Sequence, residues 1–236
     1  MKVLIATTSF PSHRGDVQSP FILKLAQSLH RYECLRVDVL CPLPPTSAPK
    51  EEILDGISVH RFQYFYPRHR QLLSSGGGIP SMLKKSFLAN LQFLLFVLAF
   101  LFRAHSYVRR SDVVHAQWSL SALAVLPWTL LYRKPLIVSL RGADVDLALK
   151  HPLTKFGLMM VLRFSTYLTP NNKGHYDLLC SLGYSHKVEV VPNGIDTLLY
   201  RPRSKKTLRR KLGIPQRSTA VVFVGWLIPR KGVEYL

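Results

Sequence analysis

Short apolar runs with strand character alternate with helix-like segments along most of this chain. The strand-like runs fall at 3–8, 37–40, 57–62, 113–115, 136–140, 167–169 and 188–191. Between the first two, residues 21–29 carry apolar side chains at helical spacing, and Pro20 suits the first turn of that helix. Strands separated by helices pair in parallel through right-handed crossovers. The sequence therefore predicts an α/β fold with a doubly wound, Rossmann-like parallel sheet, whose ligands bind beyond the carboxyl ends of the strands.

The composition combines a packed core with a strongly basic surface. Hydrophobic residues make up 47% of the chain and charged residues 19%, which argues against disorder. Thirty-two Lys and Arg against 13 Asp and Glu give a net charge of +19, and no acidic residue occurs between Asp55 and Asp112. A second acid-free run covers 201–217. Because such surfaces attract polyanions, a non-catalytic module that binds anionic membrane or nucleic acid stays open as an alternative function.

The cysteines and the N-terminus point to the cytoplasm. Cys34, Cys41 and Cys180 form no C-x-x-C pair, so they indicate neither a zinc site nor a disulfide framework, and they suit a reducing compartment. The apolar run at 3–6 is too short for a signal peptide and is expected to form a buried strand. We expect a cytoplasmic protein, with peripheral contact at the inner face of the membrane as a further expectation.

One segment is apolar enough to raise the question of a membrane. Residues 87–102 are nearly all apolar, and Lys84, Lys85 and Arg103 flank them. A bilayer span needs about 20 such residues, and the strand–helix alternation continues on both sides. A helix that covers the sheet is therefore the favoured prediction. A helix in the membrane interface is the second reading, and a transmembrane span is the third.

The common phosphate-binding signatures are absent. No G-x-G-x-x-G follows the first strand, and no G-x-x-x-x-G-K-[ST] occurs anywhere in the chain. These absences argue against an NAD-type Rossmann enzyme and against a P-loop nucleotidase. A nucleotide-sugar epimerase or dehydrogenase is disfavoured for the same reason.

An ordered set of other motifs does carry a family resemblance. The motifs are Phe10-Pro11 with Gly15-Asp16, Asp112-Val-Val-His115-Ala-Gln-Trp118, Val138-Ser-Leu-Arg141-Gly142-Ala-Asp144, Val191-Pro192-Asn193-Gly194-Ile195-Asp196, and Phe223-Val-Gly225 leading to Pro229-Arg230-Lys231-Gly232. In this order and at these intervals they resemble the family 4 glycosyltransferases of the GT-B fold, across essentially the whole chain. The resemblance implies two facing Rossmann-like domains, an acceptor-binding one first and a donor-binding one second. It also implies sugar transfer from a nucleotide-sugar with retention of anomeric configuration.

The resemblance assigns roles to individual residues. Its donor-phosphate residues are Gly15, Lys231 and Arg230, its catalytic residues are His115 and Asp144, and its acceptor- or sugar-binding residues are Arg141 and Asn193. It implies no metal and no cofactor, since the nucleotide-sugar is a substrate. The Asp144-Val-Asp146 spacing resembles a metal clamp of another glycosyltransferase fold, but such spacing is frequent by chance, so we predict no metal there.

Two positions depart from the family pattern. Trp226 stands where many members have Arg, and Arg141 stands where many have His. Arginine does not act as a base at neutral pH, so a role for Arg141 would lie in binding phosphate or sugar.

The domain prediction follows from the motifs and the charge pattern. We predict an acceptor-side Rossmann-like domain over 1–200, a basic linker over 201–217, and the first strand (219–224) and helix start of a truncated donor domain over 218–236. The family's E-x7-E pair is not present in the sequence, so we expect the 236-residue chain alone to transfer little or no sugar.

The expected partners follow from the same resemblance. They are a nucleotide-sugar donor and a glycan or lipid-linked acceptor of the kind used in polysaccharide assembly, with anionic membrane as a peripheral contact. No recognition helix or aromatic RNA-binding signature supports a specific nucleic-acid partner.

Overall fold

A computed structural model describes residues 1–46, 48–74, 78–225, 227 and 232–235, and only the backbone of Ala143 and Asp144. The chain divides into two compact units, Met1–Gly194 and Ile195–Leu236. The predicted domain boundary at residue 200 stays a prediction.

The first unit is built on a seven-stranded sheet in the order β3-β4-β2-β1-β5-β6-β7. The strands are β1 (Lys2–Thr7), β2 (Arg36–Pro42), β3 (Glu51–Leu54), β4 (Ile57–Phe62), β5 (Val113–Gln117), β6 (Leu136–Leu140) and β7 (Tyr167–Pro170). All neighbours pair in parallel except β3, which runs antiparallel to β4 at the edge. The predicted parallel α/β sheet is confirmed.

Eight α-helices accompany the strands in the part of the chain that the structure describes. They are α1 (Pro20–His30), α2 (Ile79–Lys85), α3 (Phe87–Arg110), α4 (Ser119–Leu131), α5 (Ala143–Ala148), α6 (Pro152–Phe164), α7 (Lys173–Ser181) and α8 (Lys205–Lys211), with single 3-10 turns at Arg68–Arg70, Ser185–Lys187 and Val233–Tyr235. The helix α1 packs Ile22, Leu23 and Ala26 on one face of the sheet. The helices α3, α4 and α6 cover the opposite face in the larger core cluster.

The strand β3 is missing from the sequence-based prediction. It forms a hairpin with β4 through Asp55 and Gly56, both of which have positive φ (51° and 86°). An Asp-Gly pair between short strands is a typical type I′ turn, so this signal was available in the sequence. The polar composition of Glu51–Leu54 hides it, because an edge strand need bury little.

The apolar segment forms the 24-residue helix α3, which the structure places on the sheet, as favoured from the sequence. Its inner face packs Phe96 and Phe100 against Phe62 of β4, at ring-centroid distances of 5.5 and 4.7 Å. Among the described residues, α3 is also the one helix long and apolar enough to cross a membrane by length and composition.

Two predicted strands are not formed as expected. At 188–191 a single bridge joins Val188 to Leu168, followed by hydrogen bonds from the amides of Glu189 and Val191 to β7. At 219–224 the backbone is irregular, and Val221, Val222 and Val224 are exposed. A strand persists only when a neighbour pairs with it, and no described residue pairs with 219–224.

Within the second unit, α8 occupies part of the predicted basic linker. Ser204 caps it by accepting a hydrogen bond from the Thr207 amide at 3.4 Å. Arg209 folds back to donate to the Ser218 carbonyl at 2.8 Å. The linker is therefore partly structured.

Candidate active site

Three neighbouring strands end in the same polar-x-polar pattern. The pairs are His115 and Gln117 on β5, Ser139 and Arg141 on and after β6, and Thr169 and Asn171 on and after β7. In a strand, residues two apart point to the same face, and the register aligns Gln117 with Ser139 and Ser139 with Thr169. His115 pairs in register with Ile5, so these side chains lie on the α1 face. They form a polar surface at the carboxyl ends of the sheet, where doubly wound folds bind ligands.

The inner row of this surface is a hydrogen-bonded chain of three side chains. His115 Nε2 lies 2.8 Å from Ser139 Oγ, which lies 2.9 Å from Thr169 Oγ1. Burial, assisted by the positive charge of Arg141, lowers the pKa of His115 from 6.5 to about 4. The imidazole is therefore neutral at physiological pH, suited to hold a hydrogen bond and unsuited to donate a proton as an imidazolium.

The outer row is organised by Arg141. Its guanidinium donates hydrogen bonds to Gln117 Oε1 and Asn193 Oδ1, and it lies 4.9 Å from the centre of the Phe21 ring of α1. Asn171 Nδ2 donates to the Arg141 carbonyl at 3.3 Å. These contacts fix the planar guanidinium on several sides, as recognition of a phosphate or of sugar hydroxyls requires.

One buried donor in the outer row has no hydrogen-bond partner among the residues that the structure describes. Gln117 is fully buried, and within the described part of the chain its Nε2 makes no hydrogen bond. An unpaired buried amide costs about 1–3 kcal/mol unless a ligand or water satisfies it. Since Gln117 Oε1 accepts from Arg141, only the NH2 group is left to be satisfied, and this buried group must be uncovered before a ligand oxygen or a water molecule can reach it.

A tight backbone turn joins β6 to α5 beside these rows. Gly142 has φ of 96°, and a Cβ there would lie 3.1 Å from His175 Cε1. The His175 ring also lies 2.6 Å from Asn172 Nδ2 and 3.3 Å from Asp146 Oδ1. The close approach explains why glycine follows Arg141.

The loop after β1 forms a separate small cavity. Gly15 is exposed, with φ of 80° and open space where a Cβ would be. It lines a cavity of about 390 Å³ together with His13, Asp16 and Lys24. Burial by itself would raise the pKa of Asp16, but hydrogen bonds from Ser12 and Gln18 outweigh it and lower that pKa. These hydrogen bonds fix the conformation of the loop.

A larger cavity of about 580 Å³ lies in the second unit and contains none of the predicted site residues.

The structure brings together part of the predicted site. His115, Arg141 and Asn193 belong to one surface, whereas Gly15 lines the separate cavity. Lys231, Arg230 and the side chain of Asp144 lie outside the described residues. Asp144 has its backbone in the first turn of α5. The roles assigned to all seven stay predictions.

Sequence reasoning missed several members of this surface: Gln117, Ser139, Thr169 and Asn171. The available signal was the polar-x-polar ending repeated after three consecutive apolar strands. Within the described residues, no three His, Cys, Asp or Glu side chains cluster in a way that could hold a metal ion.

Two solved structures show the same architecture. Sucrose-phosphate synthase of Thermosynechococcus elongatus matches with a TM-score of 0.60 at 13% identity, over 91% of this chain and 52% of that one. Anabaena Alr3699/HepE in complex with UDP matches with a TM-score of 0.52 at 15% identity, over 90% of this chain and 50% of that one. The chain thus spans about half the length of these proteins. The predicted GT-B type of Rossmann-like fold is confirmed.

Two curated proteins share a short stretch of sequence. The D-inositol 3-phosphate glycosyltransferase of Acidothermus cellulolyticus is 44% identical over 48 residues, which is 20% of this chain and 11% of that protein. The protein of the same name from Segniliparus rotundus is 40% identical over 50 residues, which is 21% of this chain and 11% of that protein.

The family profile supplies the assignment. Glycosyltransferase Family 4 matches residues 18–198, a range that contains β2 to β7 and both polar rows. This match favours a glycosyltransferase over the non-catalytic basic module. Because it covers well over half of the 236 residues, the chain belongs to glycosyltransferase family 4.

Proposed function

We propose that this protein transfers a sugar from a nucleotide-sugar to a glycan or lipid-linked acceptor, with retention of anomeric configuration. Family membership supports the reaction class. Related folds solved with UDP and with UDP-glucose support a nucleotide-sugar donor. The observation that carries the site is the unpaired Gln117 Nε2 beside a fixed Arg141 at the carboxyl ends of β5 to β7.

The polar surface suits recognition of a sugar. Gln117 Nε2 would donate to a hydroxyl or ring oxygen of the ligand, and Arg141 and Asn193 would bind a neighbouring hydroxyl or a phosphate oxygen. His115 would act through Ser139 as a positioning residue, because its neutral ring is already hydrogen bonded there. Asp144 would orient a sugar hydroxyl from the first turn of α5.

Departure of the nucleoside diphosphate is the chemical difficulty of the reaction. Negative charge develops on the leaving phosphate, and cationic side chains with backbone N–H groups stabilise it. We assign this role to the Gly15 loop, Lys231 and Arg230, without a metal or cofactor. We place the reaction in the cytoplasm, where nucleotide-sugars are made.

Ligand-observed NMR with the 236-residue chain tests the site. The probes are UDP-glucose, other UDP-hexoses and a panel of oligosaccharides. Gln117→Glu keeps an acceptor for Arg141 but replaces the free NH2 donor with an oxygen. We expect at least one probe to bind and this variant to weaken that binding about tenfold or more, since a donor meeting the ligand oxygen is lost. Arg31→Gln, on an exposed arginine after α1, is the control and should bind like the wild type.

Two results would contradict the assignment. One is binding by none of the sugars, and the other is equal binding by the wild type and Gln117→Glu. In a transfer assay the 236-residue chain alone should turn over little, because its described residues after Gly194 form no sheet that could hold a donor. Ready transfer by this chain would show that the donor site is assembled differently.

A further inference from the structure

The helix α3 has a second apolar face, which points away from the sheet. This outer face of α3 consists of Phe87, Leu88, Leu91, Leu94, Leu95, Leu98 and Phe102, all exposed. Phe87 is 88% exposed, Leu94 61% and Phe102 67%, values unusual for side chains of this size. Taking about 200 Å² for each fully exposed side chain, the surface is roughly 800 Å², more than most monomeric proteins leave open.

The spacing of these residues makes the surface continuous. Positions 87, 91, 94, 98 and 102 recur every three or four residues, so they share one side of the helix over four turns. The opposite side is occupied by Ala89, Phe96, Phe100 and Ala104, which are fully buried on the sheet. Because the inner face anchors the helix, the outer face is presented as a rigid strip.

Both ends of the strip are basic. Lys84 and Lys85 precede it at the end of α2, and Arg103, Arg109 and Arg110 follow it along α3, all exposed. No Asp or Glu occurs anywhere from 56 to 111. The Arg103 guanidinium lies 3.6 Å from the carboxylate of Glu51 on β3.

We propose that the outer face of α3 docks on an anionic lipid surface, with the helix lying in the plane of the interface. Apolar side chains would enter the boundary between headgroups and acyl chains, while the lysines and arginines contact anionic headgroups. This surface lies on the sheet face opposite to α1 and the polar rows. Its function is therefore independent of the sugar-binding proposal.

The charge pattern favours lipid over a second copy of the chain. A two-fold contact through the outer face would bring the same surface of both copies together. Antiparallel helices would then place Lys84 and Lys85 of one copy beside Arg109 and Arg110 of the other. Both ends of such a dimer would be repulsive, whereas an anionic bilayer neutralises them.

A spanning orientation is disfavoured by the packing of the inner face. Phe96 contacts Phe62 and Tyr64, with ring centroids 5.5 and 5.1 Å apart. The buried amide of Gln92 also donates to the Arg70 carbonyl at 2.8 Å and accepts from the Leu72 amide at 2.9 Å. A helix that crossed the bilayer would have to leave these partners.

Vesicle flotation of the purified chain tests the docking. Vesicles of phosphatidylcholine alone are compared with vesicles that also contain phosphatidylglycerol, at low and high salt. We expect flotation with the anionic vesicles and release at high salt. The variant Leu91→Gln/Leu94→Gln should reduce the partition at least about tenfold, and Lys84→Gln/Lys85→Gln should reduce it about tenfold on anionic vesicles.

Matched controls distinguish binding through the outer face of α3 from nonspecific adsorption to vesicles. Ile53→Gln changes an apolar side chain that is 77% exposed on β3, and Arg31→Gln removes a charge near the other face of the sheet. The partition of both variants onto anionic vesicles should stay within about twofold of the wild-type value.

Four outcomes would overturn the proposal. They are no flotation of the wild type, equal loss in the controls, resistance to salt and alkaline extraction, and a wild-type dimer that becomes monomeric in Leu91→Gln/Leu94→Gln. Sedimentation of each variant, with its thermal unfolding, distinguishes these outcomes from misfolding.

Discussion

At the scale of single residues, Arg141 connects the elements around the polar surface. It contacts Gln117 at the end of β5, Asn193 near the end of the first unit and the ring of Phe21 on α1. A lysine at this position could not make these contacts together, because its charge is a point and the guanidinium is a planar fork.

The buried His115 should make stability depend on pH. Its pKa is about 4 in the folded protein and 6.5 in the unfolded chain, so between these values the unfolded state binds more protons. The free energy of unfolding should therefore fall as the pH drops from 6.5 to 4, by up to about 3 kcal/mol. Urea titrations across this range measure the slope. His115→Gln should flatten it, and the exposed His151→Gln should not. Identical slopes for both variants would refute the burial of a neutral ring.

Gly142 should tolerate substitution less well than another glycine with a similar backbone. Gly142 has φ of 96° and Gly183 has φ of 90°, but only at Gly142 does an added Cβ meet a side chain, His175 Cε1 at 3.1 Å. We expect Gly183→Ala to cost about 1 kcal/mol of unfolding free energy and Gly142→Ala about 2–3 kcal/mol. Denaturation of both variants decides the matter. Equal costs would mean that the contact with His175 is unimportant.

The sequence indicated some of these residues and missed others for physical reasons. His115, Arg141 and Asn193 stand in motifs, so the family resemblance found them. Gln117 stands in the same motif as His115. Its importance depends on an unpaired side-chain nitrogen, which only the packing of its surroundings reveals. The contact between Arg141 and Asn193 spans 52 positions, and no local pattern predicts it.

At the scale of elements, α3 has buried apolar side chains on the face toward the sheet and exposed apolar side chains on the other face. Phe96 is fully buried among Phe62, Tyr64 and Phe100, whereas Leu94 is 61% exposed. We expect Phe96→Ala to cost about 3–5 kcal/mol of unfolding free energy, and Leu94→Ala to change it by about 0.5 kcal/mol or less. Chemical denaturation compares them. Similar costs would mean that both faces of α3 are packed in solution.

Strand prediction succeeded for the central strands, which are buried on both faces of the sheet. The strands β1, β2, β5 and β6 are apolar because both of their faces are covered, and their sequences show it. The polar edge strand β3 lacks this signal. Residues 219–224 have the same apolar composition but form no strand. A β-strand is stable only when a neighbouring strand pairs with it, and the composition of a segment does not show whether such a neighbour exists.

At the scale of the whole molecule, the two units should differ in their resistance to proteases. The first unit has a seven-stranded sheet with cores on both faces, while most described side chains from 195 onward are exposed. Limited trypsin digestion should first cut after exposed basic residues such as Arg203 and Arg217, each followed by serine, and should leave a fragment that ends shortly after Gly194. Mass spectrometry identifies the fragments. Early cleavage inside the first unit would contradict this division.

We propose that the polar surface at the ends of β5 to β7 binds the sugar that this glycosyltransferase transfers or receives. The most direct measurement is NMR of the isotope-labelled chain titrated with UDP-glucose and with an oligosaccharide panel. We predict that a binding ligand shifts the side-chain NH2 of Gln117 and the backbone signals near Arg141, Asn171 and Asn193, and that Gln117→Glu weakens this response. A ligand that binds while leaving these signals unchanged, or a chain that binds no sugar, would contradict the claim.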